Sequence, residues 1–224
     1  MDSINIFQTL QKLVLLAPGF LLAITVHEFT HGYVANRLGD PTAKMAGRLT
    51  FNPLRHLDPI GTLALVLTQM IGWAKPVPVN PRSLSNPRSD MLWISLGGPA
   101  ANLLTAIVLA LCLHILDAFS GHSLMRGSSG LILNPLVLII YFGIQINIVL
   151  AVFNLIPVPP LDGFSILQGV LPRDYAYQLE RLEPYGFIIL LILLLSGVIS
   201  FIIVPPIRSE EHTAELQSRQ VISY

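Results

Sequence analysis

Residues 21–40 read LLAITVHEFTHGYVANRLGD, two histidines and a glutamate set directly after an apolar run. The whole stretch, about 8–37, is longer than the ~20 residues that a helical bilayer crossing needs. An ionisable group at bilayer depth costs between about 2.5 and more than 10 kcal/mol, so three neighbouring ones demand compensation from a bound metal or a hydrated cavity. That demand limits the chain to folds that bring further polar groups to the same place.

The remaining sequence is equally apolar. Hydrophobic residues make up 53% of the 224 and charged residues 12%, against roughly 25% charged in ordinary soluble domains. The formal net charge is zero, which offers no footing for nucleic acid or an acidic partner. The single cysteine, Cys112, excludes an intramolecular disulfide and a cysteine-based zinc cluster. The first 26 residues lack a basic start and a small-residue cleavage site, so no removable signal peptide is expected. Apolar helices are expected at about 8–37, 91–118, 134–154 and 184–204, with a shorter apolar piece at about 60–73. The expected class is an all-α polytopic membrane protein with about 4–5 transmembrane helices and a re-entrant or interfacial segment. The flanking stretches 47–51 and 74–80 look extended and are expected as short membrane-associated β-strands, the prolines of the second suiting an edge. Residues 1–207 read as one domain. The polar tail 208–224 contains RSEEHTAELQS, which resembles the in-frame translation of a common sequencing-library adapter; it is read as non-native and set aside.

On a helix, His27 and His31 fall on one face about a turn apart, so both imidazoles can reach one tetrahedral metal while Glu28 stays beside it. This is the HExxH arrangement of zinc proteases. Catalytic zinc needs a third protein ligand. Asp162 is the best candidate, because NLIPVPPLDG at 154–163 ends a span in a proline-framed turn. His114, His122 and Asp117 sit at the far end of a helix, and His56 follows the first span by a loop, where a cap or surface pair is the ordinary role. Asn102, Asn147 and Asn154 lie in or near apolar helices, where bonding between helices is the ordinary explanation.

His31 and Asp162 can meet only if the helix ends that carry them share one side of the membrane, which requires 60–73 to turn back rather than cross. The charges agree: Arg37, Lys44, Arg48, Arg55, Lys75, Arg82 and Arg88 then join Arg173 and Arg181 on one side, with Arg126 opposite. Positive residues mark the cytoplasmic side, so a multi-pass cell-membrane protein with a cytoplasm-facing site is expected.

HEFTH, GGPAAN at 97–102 and NLIPVPPLDG at 154–163 together resemble the site-2 protease family of intramembrane zinc metalloproteases, in the compact form without a PDZ domain. The resemblance covers approximately 20–206. It implies one Zn2+ per chain held by His27, His31 and Asp162, with Glu28 as the catalytic base. It also matches Asn154 and Gly98 to Asn102 to family elements; Asn154 and Asn102 are taken as substrate-binding, and Gly98 and His56 as residues around the ligands. The implied activity is peptide-bond hydrolysis in or near the transmembrane segment of a membrane-anchored protein, as in regulated intramembrane proteolysis. An unwound substrate would add as a strand to the extended segments. The alternatives are a catalytically inactive membrane-binding relative and an ion or solute transporter.

Overall fold

The computed structural model describes residues 6–68, 72–119 and 133–197. Its elements are α1 (Ile6–Arg37), α2 (Thr42–Met45), α3 (Pro59–Thr68), α4 (Pro87–Phe119), α5 (Leu133–Asn154), α6 (Asp162–Val170), α7 (Arg173–Glu180) and α8 (Gly186–Leu195). Among the described residues, three helices are long and apolar enough to cross a membrane: Leu13–Arg37, Pro87–Phe119 and Pro135–Asn154. These correspond to the first three expected spans. Of the fourth, 184–204, only the Gly186–Leu195 helix and its flanks fall within the described residues. The 208–224 tail, His122 and Arg126 lie outside them.

Helices α1, α4 and α5 pack pairwise into a three-helix core, and α6 leans on α4. Small side chains set the closest approaches. A Cβ on Gly19 would lie 2.8 Å from the Gly143 Cα, so α1 and α5 touch backbone to backbone. A Cβ on Gly97 would sit 3.2 Å from the Thr30 Cγ2, drawing α4 against α1. The buried apolar residues of the bundle are mostly small, Ala23, Ala35, Ala106 and Ala151 among them, while Leu103, Leu104, Ile107, Val108 and Leu111 of α4 face outward. Large apolar groups outside and small ones inside is the arrangement that a lipid surround stabilises, because the hydrocarbon is itself apolar.

Between α1 and α4 the chain makes an out-and-back excursion. It leaves at Leu57 and returns at Ala74, where the two residues form an isolated antiparallel bridge and the Lys75 N–H donates to the His56 carbonyl at 2.9 Å. The returning chain lies on α3: a Cβ on Gly61 would strike the Trp73 carbonyl oxygen. With 10 residues, α3 is about 15 Å long, roughly half of a hydrocarbon core.

The expected β-strands do not form among the described residues. Residues 47–51 are turns and bends, and 72–80 is extended with only the Ala74 bridge. Pro76 and Pro78 carry no N–H, and three other backbone groups of this stretch are taken by side chains. Arg48 Nη2 donates to the Lys75 carbonyl, the Val77 N–H to Glu28 Oε2 at 2.8 Å, and the Asn80 N–H to Asp40 Oδ2 at 2.7 Å.

Asp40 anchors that polar end. Gly39, in a left-handed conformation (φ +108°), turns the chain out of α1. The buried Asp40 carboxylate then receives the Thr42 N–H, the Thr42 hydroxyl and the Asn80 N–H. Burial pushes this carboxyl up, but the three hydrogen bonds outweigh it and hold it below the ordinary carboxylate range. A depressed carboxylate stabilises the fold at pH values above its unfolded pKa, about 3.9, and loses that contribution as pH falls through the folded value. The detergent-solubilised wild type is therefore expected to melt above Asp40→Asn at pH 7, with the gap shrinking below about pH 4; thermal melts of both proteins from pH 7 to 3 measure it, and a gap that widens on acidification contradicts it.

Candidate metal centre

His27 and His31 project from one face of α1, their rings 4.6 Å apart and nearly perpendicular. Asp162 arrives from the start of α6, after the chain has reversed through Leu155–Leu161. Gly163 makes that arrival feasible, since a Cβ there would overlap the Leu155 carbonyl oxygen. Asp162 Oδ2 lies 3.1 Å from His27 Nε2 and 3.2 Å from His31 Nε2, and the two Nε2 atoms are 3.0 Å apart.

The other nitrogen of each ring fixes which atom faces inward. His27 Nδ1 lies 2.6 Å from Asn102 Oδ1, and His31 Nδ1 lies 2.7 Å from the Ile94 carbonyl. Both partners accept, so both Nδ1 atoms carry the proton and both Nε2 atoms present lone pairs. Pro99 lacks the N–H that would bond the Ser95 carbonyl, so the α4 ladder is already interrupted beside the Ile94 carbonyl. Gly98 completes the cradle: a Cβ there would sit 2.6 Å from Cε1 of His27 and from Cε1 and Nε2 of His31.

The donor set fits a zinc ion. Asp162 Oδ2 is buried without a hydrogen-bond partner, and it faces two imidazole lone pairs rather than a proton. Four ligands at Zn–N distances of about 2.05 Å in a tetrahedron lie about 3.3 Å from one another, close to the three separations found. Among the described residues, His27, His31 and Asp162 are the group of His, Cys, Asp or Glu side chains able to share one ion.

Glu28 is half-buried beside the ligands, its Oε2 held by the Val77 N–H. The structure does not bring all of the other expected residues to the centre. Asn102 is fully buried and bonds to His27 instead of facing a substrate. Asn154 ends α5 with its Nδ2 donating to the Leu150 carbonyl at 2.9 Å. His56 is fully buried under the excursion, with Nε2 on the Thr50 carbonyl and Nδ1 unpartnered, and it is not among the three clustered ligands. His114 is exposed and Asp117 buried near the far end of α4. The contacts with the Ile94 carbonyl and the Val77 N–H had no signature in the side-chain pattern, because backbone groups are present at every position. Asn147, fully buried and bonded to Asn102, was legible only as a polar residue in a very apolar helix.

Two histidines one turn apart, a distant aspartate and a glutamate beside them make up the constellation of a zinc metalloprotease, here within a bundle of helices long and apolar enough to cross a membrane. The model of peptidase family M50 matches residues 15–196, and the chain belongs to that family, the family of the site-2 proteases. It is 40% identical over 185 residues to the Bacillus subtilis protein named "Putative zinc metalloprotease YwhC", covering 83% of this chain and 82% of the relative. It is 29% identical over 203 residues to Rip2 of Mycolicibacterium smegmatis, a protein given the same description, covering 89% and 73%. A zinc metalloprotease of Methanocaldococcus jannaschii, MJ0392, is 26% identical over 186 residues, with 82% of this chain against 42% of that one. No solved structure matches the chain. The protein is an intramembrane zinc metalloprotease that acts on protein substrates in membranes.

A methyl group at position 98 has no room unless the imidazoles move. Gly98→Ala is expected to bind zinc about 10- to 100-fold more weakly, the range for disturbed support around a metal, while remaining a folded monodisperse protein in detergent. Metal analysis after dialysis against a weak chelator reads the loss.

Proposed function

We propose that His27, His31 and Asp162 hold the zinc ion, that Glu28 is the catalytic base, and that the enzyme cuts a membrane-anchored protein in or next to its transmembrane segment. The observation that carries this reading is the convergence of two lone-pair nitrogens and a partnerless buried carboxylate oxygen beside a glutamate. Zinc bound there supplies Lewis acidity to the scissile carbonyl and acidifies a water. Glu28 takes the proton from the attacking water and returns it to the leaving amine. The Val77 N–H holds Oε2 of that carboxylate in place and leaves Oε1 to the reacting water. Asn154, at the open end of α5, is close in sequence to Asp162 and keeps its Oδ1 and one N–H for a substrate backbone.

The extended 72–80 stretch touches Glu28, so an unwound substrate lying along it would reach the centre. In this reading α3, the described part of the 60–73 piece, enters the membrane without crossing it, a reading supported by the Leu57–Ala74 bridge at its ends and by the outward Ile60, Leu63, Leu67 and Trp73. The site then faces the cytoplasm of a multi-pass cell-membrane protein. Arg37 ends α1, Arg88 begins α4, and Arg88 Nε donates to the Gln168 carbonyl of α6, so the basic residues gather at the end of the bundle nearest the ligands. Residues 1–207 work as one domain, with 208–224 playing no part.

Purified Glu28→Gln should retain zinc while cleavage of a membrane-anchored substrate falls about 100- to 10,000-fold. Asp162→Ala should lose both zinc and cleavage. Full zinc in purified Asp162→Ala would move the third ligand elsewhere, and undiminished cleavage by Glu28→Gln would end the assignment of the base.

A further inference from the structure

Asn147 lies within α5, fully buried, and its hydrogen bonds go to Asn102 and the Gly143 carbonyl rather than to a ligand atom. Its two amide atoms nevertheless complete a directed chain. Asn147 Nδ2 donates to the Gly143 carbonyl at 2.8 Å, which turns Oδ1 toward α4. Asn102 Nδ2 donates to that Oδ1 at 2.9 Å and to the Ala23 carbonyl at 3.0 Å. Asn102 Oδ1 is thereby left facing His27 Nδ1.

The direction is set at the two backbone carbonyls, which can only accept. Reversing both amides would point Asn102 Oδ1 at the Ala23 oxygen and Asn147 Oδ1 at the Gly143 oxygen. It would also aim an N–H at His27 Nδ1 and draw the ring into the tautomer with its proton on Nε2, where zinc must bind. The Ala23 carbonyl opposes the reversal at one point, and Asn147 adds the second.

We infer that Asn147 is a positioning residue for the metal centre: through Asn102 it holds His27 in the Nδ1–H tautomer, so that Nε2 meets zinc without first shedding a proton. The inference rests on the reading of His27 as a ligand. The three side chains come from α1, α4 and α5, so the relay also makes the state of the ligand depend on the packing of all three helices.

The test is a zinc dissociation constant, measured by chelator competition on the detergent-purified full chain, for wild type, Asn147→Leu and Asn147→Asp. Leucine keeps the branched shape, though with bulkier ends, and removes both polar atoms. Aspartic acid, held neutral by its apolar surroundings, presents a carbonyl to Asn102 and an O–H to Gly143, so it restores the relay. The expected result is zinc binding about 10- to 100-fold weaker for Asn147→Leu and near the wild-type value for Asn147→Asp. Equal zinc affinity in Asn147→Leu and wild type overturns the inference, as does equal weakening in both variants, which marks a packing role alone. Ring 15N shifts of His27 in the zinc-free wild type give a check that needs no variant: the Nδ1–H form supports the relay, and the Nε2–H form overturns it. Failure of the ligand assignment would instead appear as no zinc in the wild type or full zinc in His27→Ala.

Discussion

Three lone-pair atoms aimed at one another inside an apolar bundle repel unless a cation sits among them, and this is the constraint around which the protein is arranged. The ligands come from two segments far apart in sequence, and each is held from behind. Asn102 and the Ile94 carbonyl orient the rings, Gly98 leaves them space, and Gly163 lets Asp162 approach over the end of α5. Asn102 is fully buried and the Ile94 carbonyl belongs to a helix of membrane-crossing length, so the supports behind the two rings come from the protein itself.

The polar end of the molecule follows a different logic. There the extended chain from Ala74 to Asn80 is held by side chains instead of by neighbouring strands: Glu28, Asp40 and Arg48 each take one of its backbone groups. Its anchors are spaced along α1 and the loop beyond it, so this stretch is tied to the helix that carries His27 and His31. Glu28, the proposed base, is also one of the points where that stretch is fastened.

Much of this was legible in the sequence, for identifiable reasons. HEFTH on a long apolar helix has few stable explanations, and a proline-framed turn ending in Asp162 offered a ligand where other acids offered only surface positions. The long apolar runs mark membrane helices through length alone. The strands failed because extended character, read from prolines and alternation, says nothing about whether a partner edge exists; here the available donors went to carboxylates and a carbonyl. Asn102 and Asn147 were visible as amides in helices, but which neighbours they bond depends on the rotation of three helices about their axes. Periodicity does not resolve that rotation when nearly every residue is apolar. In α5 the apolar residues run all round the helix, and it is the contact of Gly143 with Gly19 and the burial of Asn147 and Ala151 that reveal its inner face.

The contact between Gly19 and Gly143 carries a mechanical consequence. With no side chain between the two backbones, α1 and α5 could not slide past one another at that level without a clash, whereas a tilt about it would leave the contact in place. His27 lies eight residues further along α1, or about 12 Å at the helical rise. A tilt of about 10° around the glycine fulcrum swings the histidine end of α1 by roughly 2 Å, comparable to a metal–ligand bond length. A small rocking of one helix, hinged where the bundle is tightest, is thus geared to the end where the chemistry takes place.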